Sequence, residues 1–256
     1  MTNFSPTTPI APVQAPSAWS RTLAWLVHAY TASGALAAFF GTLAAVNGRY
    51  RDSFLLMIAA TLVDASDGVL ARYGRVKEVL PGFDGARLDD IVDYLTFVFL
   101  PALLLYCAGD LPAGWGGLVA SVVLLSSAYG FGSTDAKTSD HFFTGFPSYW
   151  NIVVAYLFVL ELPPDVNAVI LLGLAVMVFV PIRYIYPSRT TILPRTTNVL
   201  AAVWGAMGIA ILWQYPQVSR TLVLASLAYP VYYFVLSFVV HTRTSGRPEG
   251  LQPRTD

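Results

Sequence analysis

Four aspartates stand out because of their spacing and their company. The chain reads Asp64-Ala-Ser-Asp67-Gly68-Val-Leu-Ala71-Arg72 and, after a spacer, Gly85-Ala-Arg-Leu-Asp89-Asp90-Ile-Val-Asp93. Asp64, Asp67, Gly68, Ala71 and Arg72 fall at i, i+3, i+4, i+7 and i+8, one face of a helix. Gly85, Asp89 and Asp93 fall at i, i+4 and i+8 on the next. Two adjacent antiparallel helices can converge these four carboxylates on one point, while Asp90 is rotated off the stripe. Four carboxylates cannot all stay ionised in a confined site without cations. Ligands that are all oxygen select hard divalent ions, Mg²⁺, Mn²⁺ or Ca²⁺. Two such ions side by side form the clamp used for displacement at phosphorus. Gly68, Ala71 and Gly85 leave room for a flat or phosphorylated ligand to approach the backbone, and Arg72 can fork onto phosphate oxygens. The competing reading is a polar cluster that glues helices together or lines an ion path. Small residues and an arginine on the same faces weigh against it.

The elements that must position these groups are membrane helices. Of 256 residues, 55% are hydrophobic and only 12% charged, against roughly 25% charged in a soluble domain; mean hydropathy is +0.59. A net charge of zero gives no case for nucleic acid. The single cysteine, Cys107, cannot form an intrachain disulfide. Apolar runs of bilayer-crossing length predict an all-α, polytopic bundle of about eight transmembrane helices. The spans are Leu23–Val46, Phe54–Ala71, Leu88–Ala108, Gly114–Phe131, Tyr149–Leu160, Val166–Tyr186, Thr197–Trp213 and Thr221–Val240. The fifth is short and Pro163-Pro164 closes it, so a six-span bundle with a re-entrant pair is the lesser alternative. With eight spans both termini share a side with twelve of the fifteen Lys and Arg residues, which makes that side cytoplasmic. Residues 1–18 read as a disordered cytosolic tail, 19–240 as the transmembrane domain and 241–256 as a second cytosolic tail. A carboxylate at membrane depth is costly, faces the protein interior and usually serves a function.

At the aspartates the sequence resembles the CDP-alcohol phosphotransferase family, whose signature is D-x-x-D-G-x-x-A-R, a spacer, then G-x-x-x-D-x-x-x-D. Asp64, Asp67, Gly68, Ala71, Arg72, Gly85, Asp89 and Asp93 occupy its fixed positions. The spacer, Tyr73 to Asp84, is twelve residues, longer than usual; with Arg75-Val-Lys77-Glu78-Val-Leu-Pro81 it is similar to the bacterial phosphatidylcholine synthase branch. Three more segments resemble that branch, beginning at His28, Phe142 and Pro181. The resemblance implies an enzyme that transfers the phosphatidyl group of CDP-diacylglycerol to an alcohol and releases CMP. It implies that Asp64, Asp67, Asp89 and Asp93 hold two divalent cations, Mn²⁺ or Mg²⁺, and that Asp93 is the general base. Gly68, Ala71, Arg72, Gly85 and, by analogy, Thr31 would line the CDP site. A homodimer in the bacterial inner membrane, with its active site facing the cytoplasm, is also implied.

The acceptor is read from the cytoplasmic ends of the later spans. A quaternary ammonium is held by aromatic faces and nearby carboxylates. Those ends carry Tyr129, Phe131, Phe142, Phe143, Phe146, Tyr149, Trp150, Tyr184 and Tyr186, and few basic residues. Choline is therefore the expected acceptor, with Tyr129, Tyr149, Trp150, Tyr184 and Tyr186 as candidate rings. Serine is the alternative acceptor. A divalent-cation transporter is the alternative of another class, and it would need a polar path to the far side that Phe97–Leu105 and Val153–Val159 do not offer.

Overall fold

The computed structural model describes residues 16–134, 142–185, 190 and 192–244. Each apolar run contributes a helix: α1 Ala18–Val46, α2 Tyr50–Tyr73, α3 Gly85–Cys107, α4 Gly116–Gly132, α5 Trp150–Leu160, α6 Pro164–Met177, α7 Pro194–Gln214 and α8 Arg220–Arg243. Five of them, α1, α2, α3, α7 and α8, are long and apolar enough to cross a membrane. The other three, α4, α5 and α6, are apolar but have only 17, 11 and 14 residues. Among the described residues the sheet amounts to two three-residue strands, so the fold is all-α. Leu36, Phe39, Leu125, Val169, Val203 and Val231 are each more than half exposed on its outer surface. Water would penalise so much exposed apolar surface, whereas lipid accepts it.

The sixth run departs from expectation. Helix α6 stops at Met177 instead of continuing to Tyr186, and the chain becomes β2, Arg183–Ile185, antiparallel to β1, Phe142–Thr144. Pro181 supplies the reason: it disfavours the helical conformation in the residue before it and has no N–H to continue a helix. Gly145, at φ +81°, then lies so close to the end of α6 that any Cβ would overlap the Val178 carbonyl. The Gly145 N–H donates to the Ile182 carbonyl and the Phe146 N–H to the Met177 carbonyl, which fastens the strand to the bundle.

Helix α3 runs through the middle of the bundle. Val98, Leu100, Leu104 and Leu105 are fully enclosed, in one core cluster with Val119 and Val123 of α4, Trp150 and Val154 of α5, and Ala168 and Leu171 of α6. In lipid, helix association depends on close packing more than on expulsion of apolar groups from water, which gives small residues their value. Gly34 and Gly41, two turns apart on α1, receive Val92 and Leu100 of α3; a Cβ on either would come within about 2.6 Å of the opposing side chain. Between Tyr94 and Phe99 α3 widens into a π-helical stretch. Pro101 has no N–H to close onto Phe97 and its ring crowds that carbonyl, and a wider turn relieves both. The Tyr94 hydroxyl donates to the Leu124 carbonyl at 2.9 Å and ties this segment to α4.

The long spacer has a definite structure. Arg75 takes a left-handed conformation, a one-turn helix Val76–Val79 follows, and Val76 and Leu80 bury against Ala24 of α1. The residues beyond the usual spacer length thus pin the α2–α3 connection to α1.

Candidate active site

Asp64 belongs to the C-terminal half of α2, and Asp89 and Asp93 lie one turn apart at the start of α3. One carboxylate oxygen from each lies within 4.8 Å of the other two, and all three residues are half-buried. Asp67 stands outside this group, buried one turn further along α2. Of the four carboxylates expected to converge, three therefore meet this closely. Oxygen donors this close suit a hard divalent cation, because a cation relieves their mutual repulsion.

The small residues of the two motifs do different jobs. A Cβ on Gly68 would meet only the Arg72 guanidinium, at 3.2 Å, and Arg72 itself is exposed on the last turn of α2. The surface between them is open to an anionic ligand. Ala71 packs on the Val76–Leu80 cluster of the spacer. Gly85 is filled from the protein side: a Cβ there would lie 2.6 Å from Cε1 of His28. That ring is buried in a three-ring cluster with Trp25 and Phe83, with centroids at 5.9 and 4.4 Å, and its Nε2 has no hydrogen-bond partner. Gly85 thus allows close contact between α1 and α3. Thr31, one turn on from His28, is buried, and its hydroxyl donates to the Val27 carbonyl at 3.4 Å.

The candidate aromatic rings are dispersed. Trp150 is completely enclosed in the core, where its Nε1–H donates to Ser127 Oγ at 2.6 Å, so it does not line a ligand site. Tyr184 is buried against Tyr233, with the rings stacked at 6.2 Å. Tyr129 points outward, 58% exposed, beside Phe179. Tyr149 is half-buried and shares a cavity wall with Asp64. Tyr186 lies outside the described residues.

Two cavities are each lined by one aspartate of the two motifs. The larger, about 360 Å³, is bounded by α2, α5 and α7; Asp64 lies on its wall, and the rest of the lining, from Met57 and Phe97 to Gly208 and Leu212, is predominantly apolar. The smaller, about 190 Å³, is lined by Asp90, Phe131, Phe143, Thr144, Phe146 and Ser148 among others. Asp90 was set aside in the sequence because it leaves the carboxylate stripe. Its departure from the stripe is what turns it into the second cavity, and helical phase alone could have flagged that direction but not the cavity.

No family model matches the chain. It is 41% identical over 222 residues to the phosphatidylcholine synthase of Legionella pneumophila, a match that covers 84% of this chain and 87% of the relative. Its identity to the phosphatidylcholine synthase of Rhizobium meliloti is 35% over 217 residues, covering 85% and 90% of the two chains. With the phosphatidylcholine synthase of Pseudomonas aeruginosa it is 40% over 181 residues, covering 71% and 76%.

Proposed function

The chain belongs to the phosphatidylcholine synthase family, and from that premise we propose that the Asp64–Asp89–Asp93 cluster is where it joins choline to the phosphatidyl group of CDP-diacylglycerol. It is a phospholipid-forming transferase of the membrane. The observation that carries the assignment of the site is the meeting of three carboxylates from two helices in a bundle otherwise made for lipid.

Asp64, Asp89 and Asp93 would hold a divalent cation, Mg²⁺ or Mn²⁺, and Asp67 is the donor at hand for a second. When bound, such a cation supplies charge neutralisation at the phosphoryl oxygens and at the departing CMP. Arg72 and the open surface at Gly68 bind the diphosphate. The apolar cavity that starts at Asp64 takes acyl chain, which leaves the head group at the carboxylates. Asp93 accepts the proton of the choline hydroxyl. The choline oxygen bonds to the phosphorus that carries diacylglycerol, the bond from that phosphorus to the CMP oxygen breaks, and CMP leaves.

We read α4, α5 and α6 as further crossings, which gives eight spans over residues 19–240 with both terminal tails in the cytoplasm. The excess of Lys and Arg on that side supports this orientation in a bacterial inner membrane. The homodimer rests on family resemblance.

The test is CMP release by the purified full chain with CDP-diacylglycerol and a panel of choline, serine, ethanolamine and glycerol phosphate. Choline alone should support turnover, lost in EDTA and restored by Mg²⁺ or Mn²⁺. Use of serine without choline would end the choline reading, and full turnover in EDTA would end the metal reading.

A further inference from the structure

We infer that the smaller cavity, enclosed by the first turns of α3, the end of α4 and the β1 segment, is the seat of the choline head group, with Asp90 as the carboxylate that faces the trimethylammonium. The inference rests on the phosphatidyl-transfer reading above and deepens it.

Charge selects the cavity first. A permanent cation loses water on binding and needs aromatic faces or a carboxylate in exchange. The larger cavity offers a long apolar wall, and the one carboxylate on it, Asp64, belongs to the cluster that holds the metal. The smaller one combines Asp90 with three phenylalanine rings, Phe131, Phe143 and Phe146, and among the described residues no basic one lines it. Size agrees: pockets for drug-sized ligands run to roughly 300–1,000 Å³, and about 190 Å³ suits a smaller molecule.

Position selects it next. Asp90 and Asp93 are three positions apart on one helix, so their Cβ atoms are neighbours at roughly 5–6 Å. The hydroxyl of choline is two carbons from its nitrogen. A cation held at Asp90 therefore presents its hydroxyl one helical turn away, at the residue placed to take the proton. An ammonium held at Tyr184 or Trp150 has no such route, since both rings are buried.

The walls are also fixed in advance of binding. Tyr94 meets Phe131 edge-on at 5.8 Å and 89°, and Phe146 meets Trp150 at 5.1 Å. Phe143 is held in register opposite Tyr184 by the β1–β2 pairing, and Gly145 lets β1 lie against the end of α6. Rings that need no rearrangement bind a cation with less loss of freedom.

The experiment compares choline with its neutral isostere 3,3-dimethylbutan-1-ol, in which a carbon replaces the charged nitrogen, using the purified full chain. The unmodified protein should prefer choline in kcat/KM. Asp90→Asn should raise the choline KM at least tenfold and erase most of that preference, with the KM for CDP-diacylglycerol little moved; Asp90→Glu should restore part of it. Phe143→Leu should raise the choline KM by about 2- to 30-fold, the range for one cation–π contact. Should Asp90→Asn fail to fold, Phe131→Leu and Phe143→Leu carry the same preference ratio. An unchanged choline KM and an unchanged preference in Asp90→Asn or, failing that, in both phenylalanine variants would overturn the assignment. A protein that uses serine and not choline would instead overturn the reading on which it rests.

Discussion

Replacing Gly85 by alanine separates two explanations of the glycine that opens the second motif. If the glycine exists to admit ligand, alanine should spare the fold and weaken nucleotide binding. The structure gives the other answer. The new Cβ would lie 2.6 Å from His28 Cε1, roughly 0.8 Å short of ordinary contact, against a ring already packed on Trp25 and Phe83. The imidazole can give way only by disturbing that ring cluster or by moving α1 away from α3. Overpacking of this kind costs about 1–3 kcal/mol. At about 2–4 °C per kcal/mol for a chain of this size, the melting midpoint should fall by roughly 2–12 °C in a thermal-shift assay on the detergent-purified protein. The partner substitution identifies the cause: His28→Ala combined with Gly85→Ala should recover most of the loss that Gly85→Ala shows alone, a coupling that only residues in contact display. CDP-diacylglycerol binding should recover with it. A Gly85→Ala protein with an unchanged midpoint and abolished nucleotide binding would refute the packing argument.

Two further expectations follow from the geometry. Asp93→Asn keeps the shape of the carboxylate but cannot take a proton, so turnover should fall by about 10²-fold or more, measured as CMP release, while CDP-diacylglycerol binding is largely retained; near-normal turnover would send the search for the base elsewhere. Asp110, in the connection between α3 and α4, is raised above the usual carboxylate range by burial and then by the nearby Glu161. A raised folded value favours the neutral acid, so the stability it lends is present below the unfolded value and lost as pH rises through the folded one. Asp110→Asn should therefore raise the melting midpoint at neutral pH, with the gain shrinking as pH falls from the raised folded value toward the ordinary carboxylate value and levelling off below it, and a gain that grew on acidification would contradict the assignment.

What the sequence determined by itself is local and periodic. Runs of apolar residues fixed the helices because in lipid every backbone N–H and C=O must be satisfied within the segment. Helical phase put Asp64 on a face of α2 and Asp89 and Asp93 on a face of α3, and it turned Asp90 away. The chemistry of grouped carboxylates pointed to hard cations and to phosphorus. Tertiary structure decided everything that depended on the angle and distance between elements. It brought one oxygen each of Asp64, Asp89 and Asp93 within 4.8 Å of one another, a group that does not include Asp67. It gave Gly85 to His28 and left Gly68 open, a distinction that the shared absence of a side chain could not make. It buried Trp150 and Tyr184 and placed Phe131, Phe143 and Asp90 around one cavity, because Pro181 ends α6 early and lets the β1 segment lie against the end of α6. An aromatic residue near a helix end has the same local sequence signal whether it faces lipid, core or ligand, and only the packing of its neighbours separates the three.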